Sequence, residues 1–250
     1  MAEIITLIKE SDFIIEESET AVFIKGTRFE LPESLSESWS TKNLAIQAYD
    51  LTLTGDISAP GKKVSITSRY LRTKKALSIS VSGEDGIQHP APANSGRQPG
   101  AHGSEGLIGN NGSDAGQIII KAEYIVTETL KLLAIGGKGA PGQNGGNGIN
   151  GRNGSNTPDR KRSRRDEGNG RAGGTGQAGG NAGKGGNGGN GGKGGTGKIY
   201  SNNLVPGNII IKVDGGSGGM GGSNGKPGNG GSGGRGGRGV NCERERYDRY

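Results

Sequence analysis

The chain has 250 residues, 54 of them glycine, with 28% apolar and 4% aromatic residues and a net charge of +7. Only three glycines lie in the first 82 residues, so an apolar core can form there but not in the glycine-rich remainder, and the single cysteine, Cys242, excludes an internal disulfide framework. No long apolar run offers a membrane span.

The opening segment, MAEIITLIKESDF, lacks a basic region followed by a continuous apolar stretch, so no secretory signal peptide is predicted. Synthesis in a cytosol is expected, followed by association with a virion or other particle or by export through a signal-less route. Residues 1–42 carry nine acids against four bases, a balance of −5, which leaves +12 on the rest of the chain. A basic distal part suits an anionic partner such as nucleic acid or an acidic surface glycan; it also keeps a glycine-rich surface dispersed.

Residues 1–82 contain only Gly26, Gly55 and Gly61, and read as an N-terminal β-strand or solenoid region. EIITLI, DFIIEE, TAVFIKG and NLAIQAYDLTLTG are β-branched, often alternating, and separated by acidic or Gly/Asn breaks. No segment has a helical period of useful length. Val64, Ile66, Tyr70 and Leu71 align with Ile118, Ile120, Tyr124 and Ile125. After one skipped residue, Leu77, Ile79 and Val81 align with Leu130, Leu132 and Ala134. LAIQAYDLTLTG is a shorter relative, and NIIIKVDGG reads as the opening half of a fourth copy. A repeat of about 20 residues built from two alternating strands is the pattern of a β-solenoid rung. A β-sandwich is the competing all-β fold.

Three glycine-triplet insertions separate the strand repeats. The first occupies residues 83–117, the second 136–198 and the third 215–239; β rungs lie at 118–135 and 199–214, and 240–250 is a charged tail or linker. In the second insertion Gly136, Gly139, Gly142, Gly145, Gly148, Gly151 and Gly154 follow one another without a miss. Three residues per turn is the period of the extended polyproline-II helix, and a bare stripe lets backbones approach and pair. The expected fold is all-β and irregular, a small β-solenoid base with inserted polyglycine-II helices in a bundle. Collagen demands far more proline than the nine residues present. Linker-like disorder is the rival, but linkers hold no strict frame.

The runs at 100–112, 136–154, 170–197 and 216–237 resemble, in repeat type, the polyglycine-II bundles of phage tail-fibre tip adhesins and of snow-flea antifreeze protein. That resemblance implies a stiff bundle whose far loops bind a host receptor, or one with a flat face for ice. This chain differs from both in carrying strand repeats between the glycine runs.

No enzyme is visible. G-x-G-x-x-G is generated by any triplet array, GGTGKI and APGKKV fail the P-loop pattern, and Cys242 has no base partner in the sequence. His89 and His102 have no neighbouring ligands at metal spacing and read as solvated loop residues. No cofactor or metal is expected. The second insertion turns at SNTPDRKRSRRDEGN, where Arg160, Lys161, Arg162, Arg164 and Arg165 concentrate positive charge. Loops on rigid scaffolds carry function, so these residues are partner-binding candidates, with a solvated loop as the plain alternative. Arg235 and Arg238, in GGRGGRG, add a second basic segment of the kind that binds RNA. The expectation is a non-enzymatic binding module, a rigid glycine-rich spike that displays loops for adhesion to a surface receptor or glycan. A self-assembling filament subunit comes next, and RNA or other anion binding through the Arg-Gly segments after that.

Overall fold

The computed structural model describes residues 6–9, 12–31, 39–160, 169–204 and 208–239. It is rich in strands, largely parallel, and has no helix among the described residues. The chain divides into two compact units. The first comprises Met1–Gln88, Gly109–Pro141 and Gly188–Met220, and the second His89–Ile108, Gly142–Asn187 and Gly221–Tyr250.

The first unit holds all the strands: β1 (Thr6–Lys9), β2 (Phe13–Glu17), β3 (Ala21–Leu31), β4 (Asn43–Leu53), β5 (Ile57–Ser58), β6 (Lys63–Thr73), β7 (Leu77–Ser80), β8 (Gln117–Val126), β9 (Thr129–Leu133), β10 (Thr196–Leu204) and β11 (Asn208–Lys212). Seven form one sheet in the order β1-β2-β3-β4-β6-β8-β10, and four form another in the order β11-β9-β7-β5. Beyond the antiparallel β1-β2-β3 meander every pairing is parallel. From β4 onward the chain alternates between the sheets, so each repeat lies beside its predecessor.

Register stacks like on like. Ile15, Ile24, Ile46, Ile66, Ile120 and Ile199 face one another across six successive strands. The five from Ile15 to Ile120 are at most 2% exposed. Phe29, Leu51, Leu71 and Ile125 form a second row, and Ile57, Ile79 and Leu132 form a row in the smaller sheet. Alternation dictates each row by itself; between the rows the phase shifts by one, as where Asp50 and Leu51 are buried in succession. Side chains at every second position share a face, and parallel in-register pairing turns that face into a continuous apolar layer. Large aliphatic side chains buried in this way contribute about 1.5–3 kcal/mol each.

The fourth repeat corrects one sequence assignment. Asn208–Lys212 pairs with Thr129–Leu133 and is therefore a closing strand, not an opening one. The opening strand is β10, which pairs with β8 from Thr196↔Gln117 to Leu204↔Ile125.

At the ends of the strands the spacing of hydrogen bonds changes. Val81 and Gly83 donate to Leu133 and Ile135, two residues apart, and Gly86 then donates to Lys138, three on. Ala134, Gly136 and Gly139 repeat this change toward Lys212, Asp214 and Ser217. Here the chain passes from strand to glycine run. Within the same unit Gly137 and Ala140 donate to Ser113 and Asn110, while Gly192 and Gly189 donate to Gly137 and Ala140. A Cβ on Gly136 or Gly139 would collide with the carbonyl oxygen of Gly192 or Gly189.

In the second unit four neighbouring runs exchange backbone bonds every third residue. Gly145, Gly148, Gly151 and Gly154 donate to Ser223, Lys226, Asn229 and Ser232, in parallel. Gln143, Gly146 and Ile149 donate to Leu107, Ser104 and Ala101, antiparallel. Gly174, Gln177, Gly180 and Gly183 donate back to Ser155, Arg152, Ile149 and Gly146. A Cβ at Gly142, Gly145, Gly148, Gly151 or Gly154 would strike the carbonyl oxygen of Gly186, Gly183, Gly180, Gln177 or Gly174. Backbone pairing thus replaces apolar burial as the cohesive force. Gly100 turns the first insertion back with φ 74°, a conformation that disfavours other residues.

Candidate binding surface

Residues between the glycines of the second insertion have a structural use of their own. The side-chain oxygens of Asn144, Asn147, Asn150, Asn153, Asn156 and Asp159 accept the backbone N–H groups of Ser223, Lys226, Asn229, Ser232, Arg235 and Arg238, at 2.7–2.9 Å. Each pair is separated by 79 residues. Asn is suited to this: its short amide reaches one neighbouring run, and it supplies an acceptor where the spacing leaves an N–H without a carbonyl. His102 does the same with Nδ1, 2.8 Å from the N–H of Asn181, so its proton sits on Nε2. His89 Nε2 donates to the carbonyl of Ile108 at 2.9 Å. Each histidine, His102 exposed and His89 half-exposed, thus has one backbone partner.

The ladder ends at a cluster of arginines. Asn156 holds Arg235 and Asp159 holds Arg238 by their N–H groups, while the N–H groups of Thr157 and Arg160 donate to the carbonyls of Arg235 (2.9 Å) and Arg238 (3.2 Å). The two basic segments singled out separately in the sequence thus meet through their backbones. Arg152 and Arg171 join the same pairing. Arg152 accepts from Gln177 at 2.8 Å, and Arg171 accepts from Gly237 at 2.9 Å. All five side chains are exposed, and none has an ion-pair partner among the described residues. Lys161, Arg162, Arg164 and Arg165 lie outside the described residues.

Sequence reasoning missed Arg152, Arg171 and the ladder. A signal for the ladder was present in the strict three-residue recurrence of Asn from 144 to 156.

The first unit carries a different polar surface, on β4, β6 and β8. Tyr70 and Tyr124 stack with centroids 5.0 Å apart, and Tyr49 meets Tyr70 edge-on. Arg69 lies over Tyr49 and Tyr70, with Nε 3.0 Å from Glu123. The Glu123 carboxylate, helped by the two tyrosines, raises the Arg69 pKa above its ordinary value. Nearby, the buried Asp50 takes Arg28 Nε at 3.2 Å and Arg72 at 2.7 Å. These arginines are engaged by acids, in contrast to the cluster of the second unit.

Comparison with protein-family models, curated proteins and solved structures gave no match. Among the described residues no group of three or more His, Cys, Asp or Glu side chains is arranged to hold a metal ion, and no helix is long and apolar enough to cross a membrane.

Proposed function

We propose that the protein is a non-enzymatic structural and binding module, whose glycine-rich unit presents an arginine cluster to an acidic glycan or similarly anionic receptor on a surface. The strand-bearing unit is a small β-solenoid base, a reading supported by parallel in-register pairing of each repeat with the next. The glycine runs are polyglycine-II helices, a reading supported by backbone bonds that recur every third residue to neighbours on different sides.

The observation that carries the binding proposal is the convergence of Arg160, Arg235 and Arg238 on paired backbones, with no ion-pair partner for any of the three side chains among the described residues. Unpaired guanidinium groups keep their donors open for sulfate or carboxylate, which they grip in two-pronged fashion. A scaffold that fixes the backbone of each arginine lowers the ordering cost of binding. The test is retention on an immobilised sulfated polysaccharide with a salt gradient. The variant R160S/R235S/R238S is expected to elute at markedly lower salt with an unchanged melting temperature. Equal retention of variant and parent would end this reading, and retention on RNA alone would favour the nucleic-acid alternative.

A second reading, self-assembly, is favoured by the edge strand β11. Ile211 is 44% exposed although its register partner Leu132 is fully buried, and Val213 is 42% exposed. An open edge with an exposed apolar row is a template for another strand. Light scattering over a concentration series tests it; a monomer at every concentration would sink it.

A further inference from the structure

Asn–Gly pairs are chemically labile. The backbone nitrogen of the glycine attacks the Asn side-chain carbonyl carbon, ammonia leaves, and a succinimide ring remains. Water then opens the ring at either carbonyl, giving aspartate or, with an extra methylene in the main chain, isoaspartate. The step needs an Asn amide free to swing onto its own backbone, as Asn side chains readily do, and a glycine N–H free to give up its proton to hydroxide.

The fold sorts these pairs into two kinds. At Asn111–Gly112 the side-chain oxygen accepts the N–H of Asn190 at 2.8 Å, and the N–H of Gly112 donates to the carbonyl of Asn190 at 2.9 Å. At Asn150–Gly151 the corresponding bonds run to the N–H and the carbonyl of Asn229, both at 2.8 Å. Electrophile and nucleophile are thus both tied, and the same double tie holds Asn144, Asn147, Asn153 and Asn224 with their following glycines. Asn190 and Asn229, which supply the backbone for these ties, lack them. Neither side chain has a hydrogen-bond partner among the described residues, and neither does the N–H of Gly191 or Gly230. A Cβ at Gly230 would meet nothing within 4 Å, so that side of the peptide is open to water. All four of Asn111, Asn150, Asn190 and Asn229 are exposed, so solvent access at the side chain does not separate them.

We propose that Asn190 and Asn229 are sites of spontaneous deamidation in the folded protein, and that the backbone ties protect Asn111 and Asn150. Each conversion adds one negative charge. Isoaspartate at 229 also lengthens the main chain ahead of Gly230, which displaces the three-residue frame leading to Arg235 and Arg238.

The two matched pairs make the test internal to one molecule. The full chain is held in mildly alkaline buffer, sampled over time, digested, and the acid-to-amide ratio is measured by mass spectrometry at each of the four sites. Conversion at Asn190 and Asn229 is expected to exceed that at Asn111 and Asn150 by about tenfold or more, since both ties must open before the protected pairs react. In concentrated denaturant the four rates should converge. Equal rates in the folded protein would overturn the proposal. So would a gap that survives in denaturant, because neighbouring residues rather than the fold would then set it.

Discussion

Arg160 donates its backbone N–H to the carbonyl oxygen of Arg238 at 3.2 Å, so Arg160 and the end of the third glycine run form one basic surface. Binding that depends on this surface should respond to either segment alone. Retention on a sulfated polysaccharide should fall for R160S and for R235S/R238S, but not for Arg69→Ser, because Glu123 already engages Arg69. Stability should move by less than about 1 kcal/mol for each exposed arginine removed. If Arg69→Ser weakens retention as much as R235S/R238S, charge alone drives retention and the cluster has no special part.

Two glycine substitutions separate packing from chain entropy. Gly145→Val places a branched side chain against the carbonyl oxygen of Gly183 and should cost about 3 kcal/mol or more, through loss of backbone pairing on both sides. Gly230→Ala meets open space and should be neutral or stabilising by about 0.4–1 kcal/mol, through a less flexible unfolded chain. Urea unfolding midpoints compare the two directly. Equal destabilisation would contradict this difference in packing.

Each ladder residue satisfies one backbone donor. Asn147→Ala strands the N–H of Lys226 and should lower stability by about 1 kcal/mol, whereas Asn147→Asp keeps an acceptor and should cost less. Amide hydrogen exchange at Lys226 offers a local check, with faster exchange expected for the alanine variant only.

Much of the strand arrangement was legible because burial writes a period into the sequence. Val64 and Ile118, or Tyr70 and Tyr124, align by pattern and also face each other in the sheet. The fourth repeat was misread because IIIK occurs both at Ile118–Lys121 and at Ile209–Lys212, and local likeness outweighed position. Its true opening strand, β10, carries TGKIYSNNL. It lies at the edge of its sheet with Tyr200 exposed, so little of its sequence must be apolar. The arginine cluster was half legible. Charge marked both basic segments, but nothing local tells that Arg160 and Arg238 adjoin, since that depends on which runs pair. The Asn ladder was overlooked because Asn among glycines reads as linker chemistry.

Position within the stack should decide the cost of removing an isoleucine. Ile66 is fully buried between Ile46 and Ile120, and Ile66→Ala should cost about 2–5 kcal/mol. Ile211, on the open edge, should cost less on truncation than Ile66. If self-assembly uses that edge, Ile211→Lys should abolish it while leaving the melting temperature nearly unchanged. Light scattering and thermal unfolding on the same samples decide the matter.

The constant separation of 79 residues along the ladder has a consequence for how such a chain can change length. Loss of one residue between Gly225 and Arg235 would bring bulky positions onto the faces where glycine now meets a neighbouring carbonyl. Loss of three would slide the run by one step, and each Asn would find an equivalent N–H. Insertions and deletions are therefore tolerated in whole triplets. Each such step exchanges which side chain stands opposite Asp159. Inherited length variation in these runs can alter the proposed binding surface without touching the architecture beneath it.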